Sequence, residues 1–461
     1  RKWKKTTTWT SFGEMLAFLP FVVPLWALAM LCLVGSAWIF LCLSILADEY
    51  LAASLEDLSH ALSVPASVSA ATFVAFGSSA PELVISFVGA ASDNTELTIP
   101  TLLASALLAF GLIPALCVVD AEAATTLDPY ALFRDTVSFA VPLLVVALYA
   151  LQRRTNLWQS LILVGLYALY VFAVYALRRP TEAEAEAAAL EAEAGGLATT
   201  TTTYGSAAAA SSPKKADEEN FGDPNDDDDS GDSGDSPPAW RYALEWPIRT
   251  ACELTVRGGP VQRFATTLAY IGALSYGAVT LAEVFTRCVP ISHATAGMTI
   301  LALGAQVPDL IAAVELARNG HADAGISQAV GSQVINVTVG LGLPFAFYIL
   351  HAGRDVQTDN NSTILNLTCL VFLMILVYVA VVAASCIKDV APAITSSSSA
   401  RSLKAASASP RPAFFPLTTK YKALIDRSLG YVLLAAFVAI YALGIVSAEL
   451  KWPRSTRSYS S

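Results

Sequence analysis

Glu82 and Asp309 are the residues hardest to account for as ordinary packing. Each is an ionisable carboxylate placed directly after a proline, Pro81 or Pro308, inside a run otherwise long and apolar enough to cross a bilayer. A bare charge at that depth costs several kcal/mol, by estimates from about 2.5 to beyond about 10, so it needs a counter-charge or a purpose. The surroundings recur as well: Thr72, Ala75, Gly77, Pro81, Glu82 and Leu83 fall on Thr299, Ala302, Gly304, Pro308, Asp309 and Leu310, about 227 residues apart without insertion. A single buried Glu reads as a neutral packing residue, and a single Gly-x-x-x-Pro as a kink. Two copies in register read as a site.

The residue types around the acids favour hard cations. Proline has no N–H and clashes with the carbonyl four residues earlier, so Pro81 and Pro308 are expected to break their helices and free a carbonyl near Gly77 or Gly304. Those backbone oxygens, the hydroxyls of Thr72, Ser78, Ser79 and Thr299, and the two carboxylates give oxygen ligands of the kind calcium takes in sixes to eights. Two facing carboxylates can change sides of the membrane only when neutralised, which one calcium or several sodium ions can do. Competition for one pair of acids then gives obligatory exchange. Protons can compete too, so calcium/proton antiport stays open. His293 and His321 read as loop residues.

The elements that must position these residues are helices in a membrane. The 461 residues are 55% hydrophobic and only 14% charged, with a mean hydropathy of +0.54, which excludes an ordinary soluble protein. Apolar runs at about 21–46, 65–90, 98–119, 132–151 and 157–177 form a first block. Runs at about 264–286, 293–316, 324–350, 365–385 and 431–447 form a second. The fold class is therefore all-α integral membrane, with about ten transmembrane helices. An odd number of spans between the motif helices inverts one copy relative to the other, giving two inverted five-helix repeats. Residues 1–177 and 261–461 are the two repeats, and 178–260 joins them.

That joining segment carries Glu-Ala alternation and the acidic run 226–229, and reads as a disordered cytosolic loop ending in an interfacial stretch from Trp240 to Arg257. Asp226, Asp228 and Gly231 mimic the opening of an EF-hand loop, but Pro237 stands where its bidentate Glu belongs. Residues 47–58 read as an acidic amphipathic surface turn, and 388–427 as a Ser-rich basic linker. Trp3 and Trp9 suit interfacial anchoring. The net charge of −10 sits largely in the loop, and nothing points to nucleic acid or to a cofactor. The seven cysteines form no Cys-x-x-Cys pair and read mostly as packed thiols, one lumenal disulfide remaining open. With the N-terminus outside, about 17 of the 28 Lys and Arg fall inside. The sequons at Asn360, Asn361 and Asn366 then fall outside. The chain opens at Arg1 rather than Met, so it is read as a piece of a longer protein that could carry a signal peptide or an earlier helix.

At these residues the chain resembles the calcium/cation antiporter superfamily, and within it the potassium-dependent sodium/calcium exchangers. The resemblance is carried by Ala47-Asp48-Glu49-Tyr50 with Ser54-Leu55-Glu56, by Ala71-Thr72-Phe73, and by Gly77-Ser78-Ser79-Ala80-Pro81-Glu82-Leu83. In the second half it rests on Ala296-Gly297-Met298-Thr299, Gly304, Val307-Pro308-Asp309, and Gly331-Ser332 through Pro344. It implies ten helices in two inverted halves, calcium held by Glu82 and Asp309, and sodium in the same cavity. There are departures. The family's third helix usually carries Gly-Ser-Ala-x-x-Asn, whereas here Ala109 stands where the Asn belongs. Ala305-Gln306 replaces Thr-Ser. Asn336 stands where the potassium-dependent branch has Asp, which argues against potassium coupling.

The reading is thus a multi-pass antiporter, not an enzyme, exchanging calcium for sodium by alternating access, with lipid and the transported ions as its partners. The plasma membrane is favoured over an internal one. Glu82 and Asp309 are the charged ligands; Thr72, Ser78, Ser79, Thr299, Gln306, Ser105, Ser332 and Asn336, with the backbone at Gly77 and Gly304, are the neutral ones. The rivals are a calcium/proton antiporter of the same fold and a transport-dead regulatory relative, suggested by Ala109 and Ala305. An intramembrane aspartyl protease also needs two acids, but its Gly-x-Gly-Asp context is absent.

Overall fold

The computed structural model describes residues 24–61, 75–92, 95–121, 125–127, 129–176, 239–357, 361–396 and 423–450. Thr72, Trp3, Trp9, the acidic run 226–229 and most of the basic linker lie outside the described residues. The chain divides into two compact units. One comprises residues 1–175 with 245–461, and the other residues 176–244, whose described part is Ala176 and the opening of a helix at 239–244.

In the larger unit, α1 (Leu25–Ile45) runs through a π-helical turn, Leu46–Leu51, into α2 (Ala52–Ala61). Then come α3 (Ala75–Ala91), α4 (Thr95–Leu107), a second π turn (Leu108–Leu112) and α5 (Ile113–Asp120). Strand β1 (Thr125–Leu127), α6 (Pro129–Gln152), β2 (Arg154–Thr155) and α7 (Leu157–Ala176) complete the first block. The second opens with α8 (Ala239–Thr255), α9 (Pro260–Cys288), α10 (His293–Ala296), a third π turn (Gly297–Ala302) and α11 (Leu303–Arg318). It closes with α12 (Ala322–Ala352), β3 (Val356–Gln357), α13 (Asn361–Ser396), β4 (Ala423–Ile425) and α14 (Arg427–Leu450).

Local chemistry sets several of these boundaries. Gly259 caps α9 with Pro260 at its first position, where the missing N–H costs nothing. Ser292 caps α10 by accepting the Thr295 N–H at 3.1 Å. Gly353, at φ +66°, closes α12 in the left-handed conformation that a side chain resists.

Among the described residues nine helical stretches are long and apolar enough to span a bilayer, and Phe76–Ala91 in α3 is a shorter apolar helix. Together they make ten membrane segments, five and five, in two inverted repeats. The equivalent first helices α1 and α9 pack together in one apolar cluster with α3, while α4 to α7 and α11 to α14 build a second, larger one. Trp158, Phe172, Leu350 and Leu450 point outward, as lipid-facing side chains do.

Two short antiparallel ribbons give an independent check on the inversion. Strand β1 pairs with β4, Thr125 opposite Ile425, and β2 pairs with β3, Arg154 opposite Gln357. Counting spans, β1 and β4 both follow odd-numbered helices and β2 and β3 both follow even-numbered ones. Each ribbon therefore joins loops on one face of the membrane, and the repeat relation exchanges the two ribbons.

Several expectations are corrected. Residues 47–58 are not a surface turn: the helix continues through them, with Leu46, Ala47, Leu51 and Leu55 buried. The stretch read as interfacial forms helix α8, which buries Ile248 and Cys252 in the cluster with α1 and α9, while Arg249 grips both Glu49 oxygens at 2.5 and 2.6 Å and Glu245 at 3.0 Å. That bidentate bond raises the Arg249 pKa above its ordinary value. Helix α13 runs on to Ser396. The Asn366 sequon lies inside α13 with Thr368 buried and bonded to the Ile364 carbonyl at 2.8 Å, so it says nothing about sidedness. Cys32, Cys42, Cys117, Cys252, Cys288 and Cys369 are free thiols.

Candidate cation site

Neither proline breaks its helix. Pro81 lies inside α3 and Pro308 inside α11, and both helices run on. The carbonyls of Gly77 and Gly304 still have no N–H four residues on, but the irregular turn lies upstream, at Gly297–Ala302. Tertiary contacts make that turn. Gly297 sits so close to α4 that a Cβ would lie 2.5 Å from the Leu97 carbonyl oxygen and 2.7 Å from the Thr101 hydroxyl. From the other side the Tyr441 hydroxyl of α14 donates to the Met298 carbonyl at 2.6 Å. Thr299, in the turn, donates to the Thr295 carbonyl at 2.7 Å, leaving its oxygen lone pairs for an ion.

The two motif copies meet through Glu82 and Gln306. The Gln306 Nε2 donates to Glu82 Oε1 at 2.8 Å, and both side chains are buried, Glu82 being 1% exposed. Gln306 and the half-buried Asp309 are three residues apart on α11, hence on adjoining positions of one helix face. Glu82 Oε2 and Gln306 Oε1 have no protein hydrogen-bond partner.

Helix α12 supplies the third wall. Ser79 donates to the Ser332 carbonyl at 3.4 Å, while Gly340 packs where a Cβ would lie 3.2 Å from Leu83 and 3.7 Å from Leu102 of α4. Asn336 lies one turn from each of these contacts. It is fully buried, and neither its amide oxygen nor its nitrogen has a partner. Ser105, three residues beyond Leu102, is also fully buried with an unpartnered hydroxyl. Ser332 bonds the Ala329 carbonyl at 3.0 Å and receives the Gln333 amide at 3.3 Å. Ser78 is half-buried, and Gly77 rests against Leu55.

Buried polar atoms in proteins almost always find partners, so Glu82 Oε2, Gln306 Oε1, the Asn336 amide and the Ser105 hydroxyl, left unpaired around α3, α4, α11 and α12, mark a candidate binding place. The donor set is hard oxygen, which suits calcium and sodium. No group of three or more His, Cys, Asp or Glu that could hold a metal occurs among the described residues. Sequence reasoning missed Ser86, one turn beyond Glu82 and likewise unpartnered, and Gln333, whose amide oxygen is unpartnered. It also missed Tyr441 and Phe40, whose ring packs directly against Gly304; both contacts are tertiary. The i, i+4 spacing from Glu82 could have found Ser86.

Comparison with known proteins identifies the family and the fold. The family described as "Sodium/calcium exchanger protein" matches residues 27–176 and 260–448. "Sodium/potassium/calcium exchanger 5" of Homo sapiens is 26% identical over 359 residues, covering 70% of this chain and 72% of its own length. "Sodium/potassium/calcium exchanger 2" of Rattus norvegicus is 23% identical over 490 residues, covering 76% and 73%. Among solved structures, "Crystal Structure of H+/Ca2+ Exchanger CAX" superposes with a TM-score of 0.51 at 12% identity, over 94% of this chain and 89% of that one. At that identity the likeness speaks to the fold alone.

Proposed function

Because the chain belongs to the sodium/calcium exchanger protein family, we propose that it is a secondary active antiporter that exchanges calcium for sodium across a membrane, with Glu82 and Asp309 as its charged ligands. The observation that carries this reading is the Glu82–Gln306 bond, which joins the two inverted motif copies at one buried point beside unpaired oxygens.

The ion acts as cargo. Calcium neutralises both carboxylates at once, and sodium ions in the same cavity do so together with the oxygens of Ser79, Thr299, Gln306, Ser332, Ser105 and Asn336. Ser78, the carbonyls of Gly77 and Gly304, and Thr72 complete the proposed set. An empty pair of ionised acids is too costly to pass between access states, so one ion must leave as the other arrives. The ten helices would rock one bundle against the other around this fixed point.

Asn336 bears on potassium. A neutral amide there offers a cation one ligand and no charge, so exchange is expected to proceed without potassium. The repeats at 1–177 and 261–461, a cytosolic 178–260 segment and residence in the plasma membrane belong to the same proposal, as does operation with no cofactor and no covalent chemistry. Proton coupling is the second reading, because protons can compete with cations for the same carboxylates.

The experiment is calcium uptake into vesicles carrying this chain, with sodium, potassium and proton gradients imposed one at a time. Uptake driven by an outward sodium gradient and indifferent to potassium is the expected result. Uptake that follows only the proton gradient would move the chain to the second reading.

A further inference from the structure

One buried acid plays no part in the site above. Asp135 lies in α6, three residues into the span Leu132–Gln152, and is 3% exposed. Its Oδ1 receives the Arg134 Nε at 2.8 Å and the Tyr170 hydroxyl of α7 at 3.4 Å. Arg134 is not buried with it: its side chain stays 25% exposed, against 5% for Asp135. Side chains at adjacent helix positions do not normally face one another, so this pair is no helix-stabilising device. An ionisable group at this depth calls for a functional account.

The tyrosine hydroxyl points the way inward. A methyl placed at Gly331 would lie 3.9 Å from it, and Gly331 precedes Ser332, whose carbonyl takes the Ser79 hydroxyl. Ser79 is three residues before Glu82 on α3. Asp135, Tyr170, Gly331 with Ser332, Ser79 and Glu82 thus form a continuous series from the membrane face of the β1·β4 ribbon to the candidate site. That face is fixed by β1, which ends at Leu127 just before α6 begins.

We infer that Asp135 is a buried acid that a cation entering from the β1·β4 face meets below the exposed Asp120 and Asp426, and that Arg134 is a tethered counter-ion the cation must displace. This rests on the antiport reading. A carboxylate at a low-dielectric mouth concentrates cations there, and a guanidinium bound to it competes with them. The two residues therefore act in opposite directions on affinity. A purely structural ion pair would fail in the same direction whichever partner was removed.

The test is full-length protein in right-side-out and inside-out vesicles, with apparent affinities for calcium and sodium measured from each face. Asp135→Asn weakens them from the β1·β4 face by about three- to tenfold, at or below the lower end of what steering charges achieve. Arg134→Gln tightens them from that face by a similar factor, and Tyr170→Phe shifts them weakly in the direction of Asp135→Asn. Affinities from the opposite face stay unchanged. If Asp135→Asn fails to fold, the partly exposed Arg134→Gln and the conservative Tyr170→Phe decide the matter. Loss from both faces, or the same sign for Arg134→Gln and Asp135→Asn, would overturn the inference while leaving antiport intact. Absence of exchange in the wild-type chain would instead overturn the antiport reading, and this inference with it.

Discussion

The two repeats carry the same motif but do different work with it. With the repeat offset, Ser79 corresponds to Gln306, Gly77 to Gly304, and Ala109 to Asn336. In the first repeat the short Ser79 hydroxyl reaches only a backbone carbonyl, and position 109 is a buried methyl within a π turn. In the second, Gln306 spans the gap to the other repeat's acid, and Asn336 presents an unpaired amide from regular α-helix. The first half contributes the longer, fully buried acid, and the second half the amides. Of the proposed ligands, the two acids thus keep the two-fold relation and the neutral ones do not.

Predictions that exploit this asymmetry start with the glycines. A Cβ at Gly304 would overlap the Phe40 ring, with Cγ only 2.7 Å away, whereas one at Gly77 would meet Leu55 at an ordinary 3.4 Å. Gly304→Ala should destabilise the folded protein by about 1–3 kcal/mol through overpacking. Gly77→Ala should be neutral or stabilise it by up to about 1 kcal/mol, since alanine is the better helix former. Thermal unfolding in detergent reads the difference, and equal effects would erase the asymmetry.

Next come the cross-repeat donors. Gln306→Leu removes the hydrogen bond to a buried carboxylate, worth about 1.5–3 kcal/mol, so calcium affinity in a binding isotherm should change by roughly ten- to a hundredfold. Ser79→Ala removes a long bond to a carbonyl and should cost about 1 kcal/mol or less. Effects of similar size fall on Asn336. Asn336→Ala deletes one neutral ligand and should weaken sodium activation of exchange by about fivefold, with calcium affinity less affected. Asn336→Asp adds a charge and should introduce a dependence on potassium, visible as flux that rises with potassium at fixed sodium.

Much of this was legible in the sequence because hydropathy and helix length are local properties. Ten membrane segments, the duplication and the inversion all follow from runs of apolar residues and from two proline–acid pairs. What escaped depended on partners distant in sequence. The prolines were expected to break α3 and α11, yet packing holds those helices and moves the irregularity to Gly297–Ala302, where Leu97 and Tyr441 hold it. Strands of two or three residues, such as β2 and β3, carry too little pattern to be read, and their pairing joins loops that lie far apart in the chain. The acidic stretch at 47–58 looks like a surface turn because its helix is amphipathic, and it continues because Leu51 and Leu55 are buried in the α1/α9 cluster and Arg249 of α8 pairs with Glu49. The role of Gln306 was visible merely as a departure from the family pattern until its bond to Glu82 gave it one.

The most direct test of the central claim is sodium-driven calcium uptake in vesicles by the wild-type chain, by Glu82→Gln and by Asp309→Asn, measured at equal amounts of folded protein. If one buried site uses both acids, the wild type exchanges and each variant loses uptake by about a hundredfold or more, the cost of removing a charged ligand in low dielectric. Near-normal uptake in either variant would contradict a site shared by the two repeats.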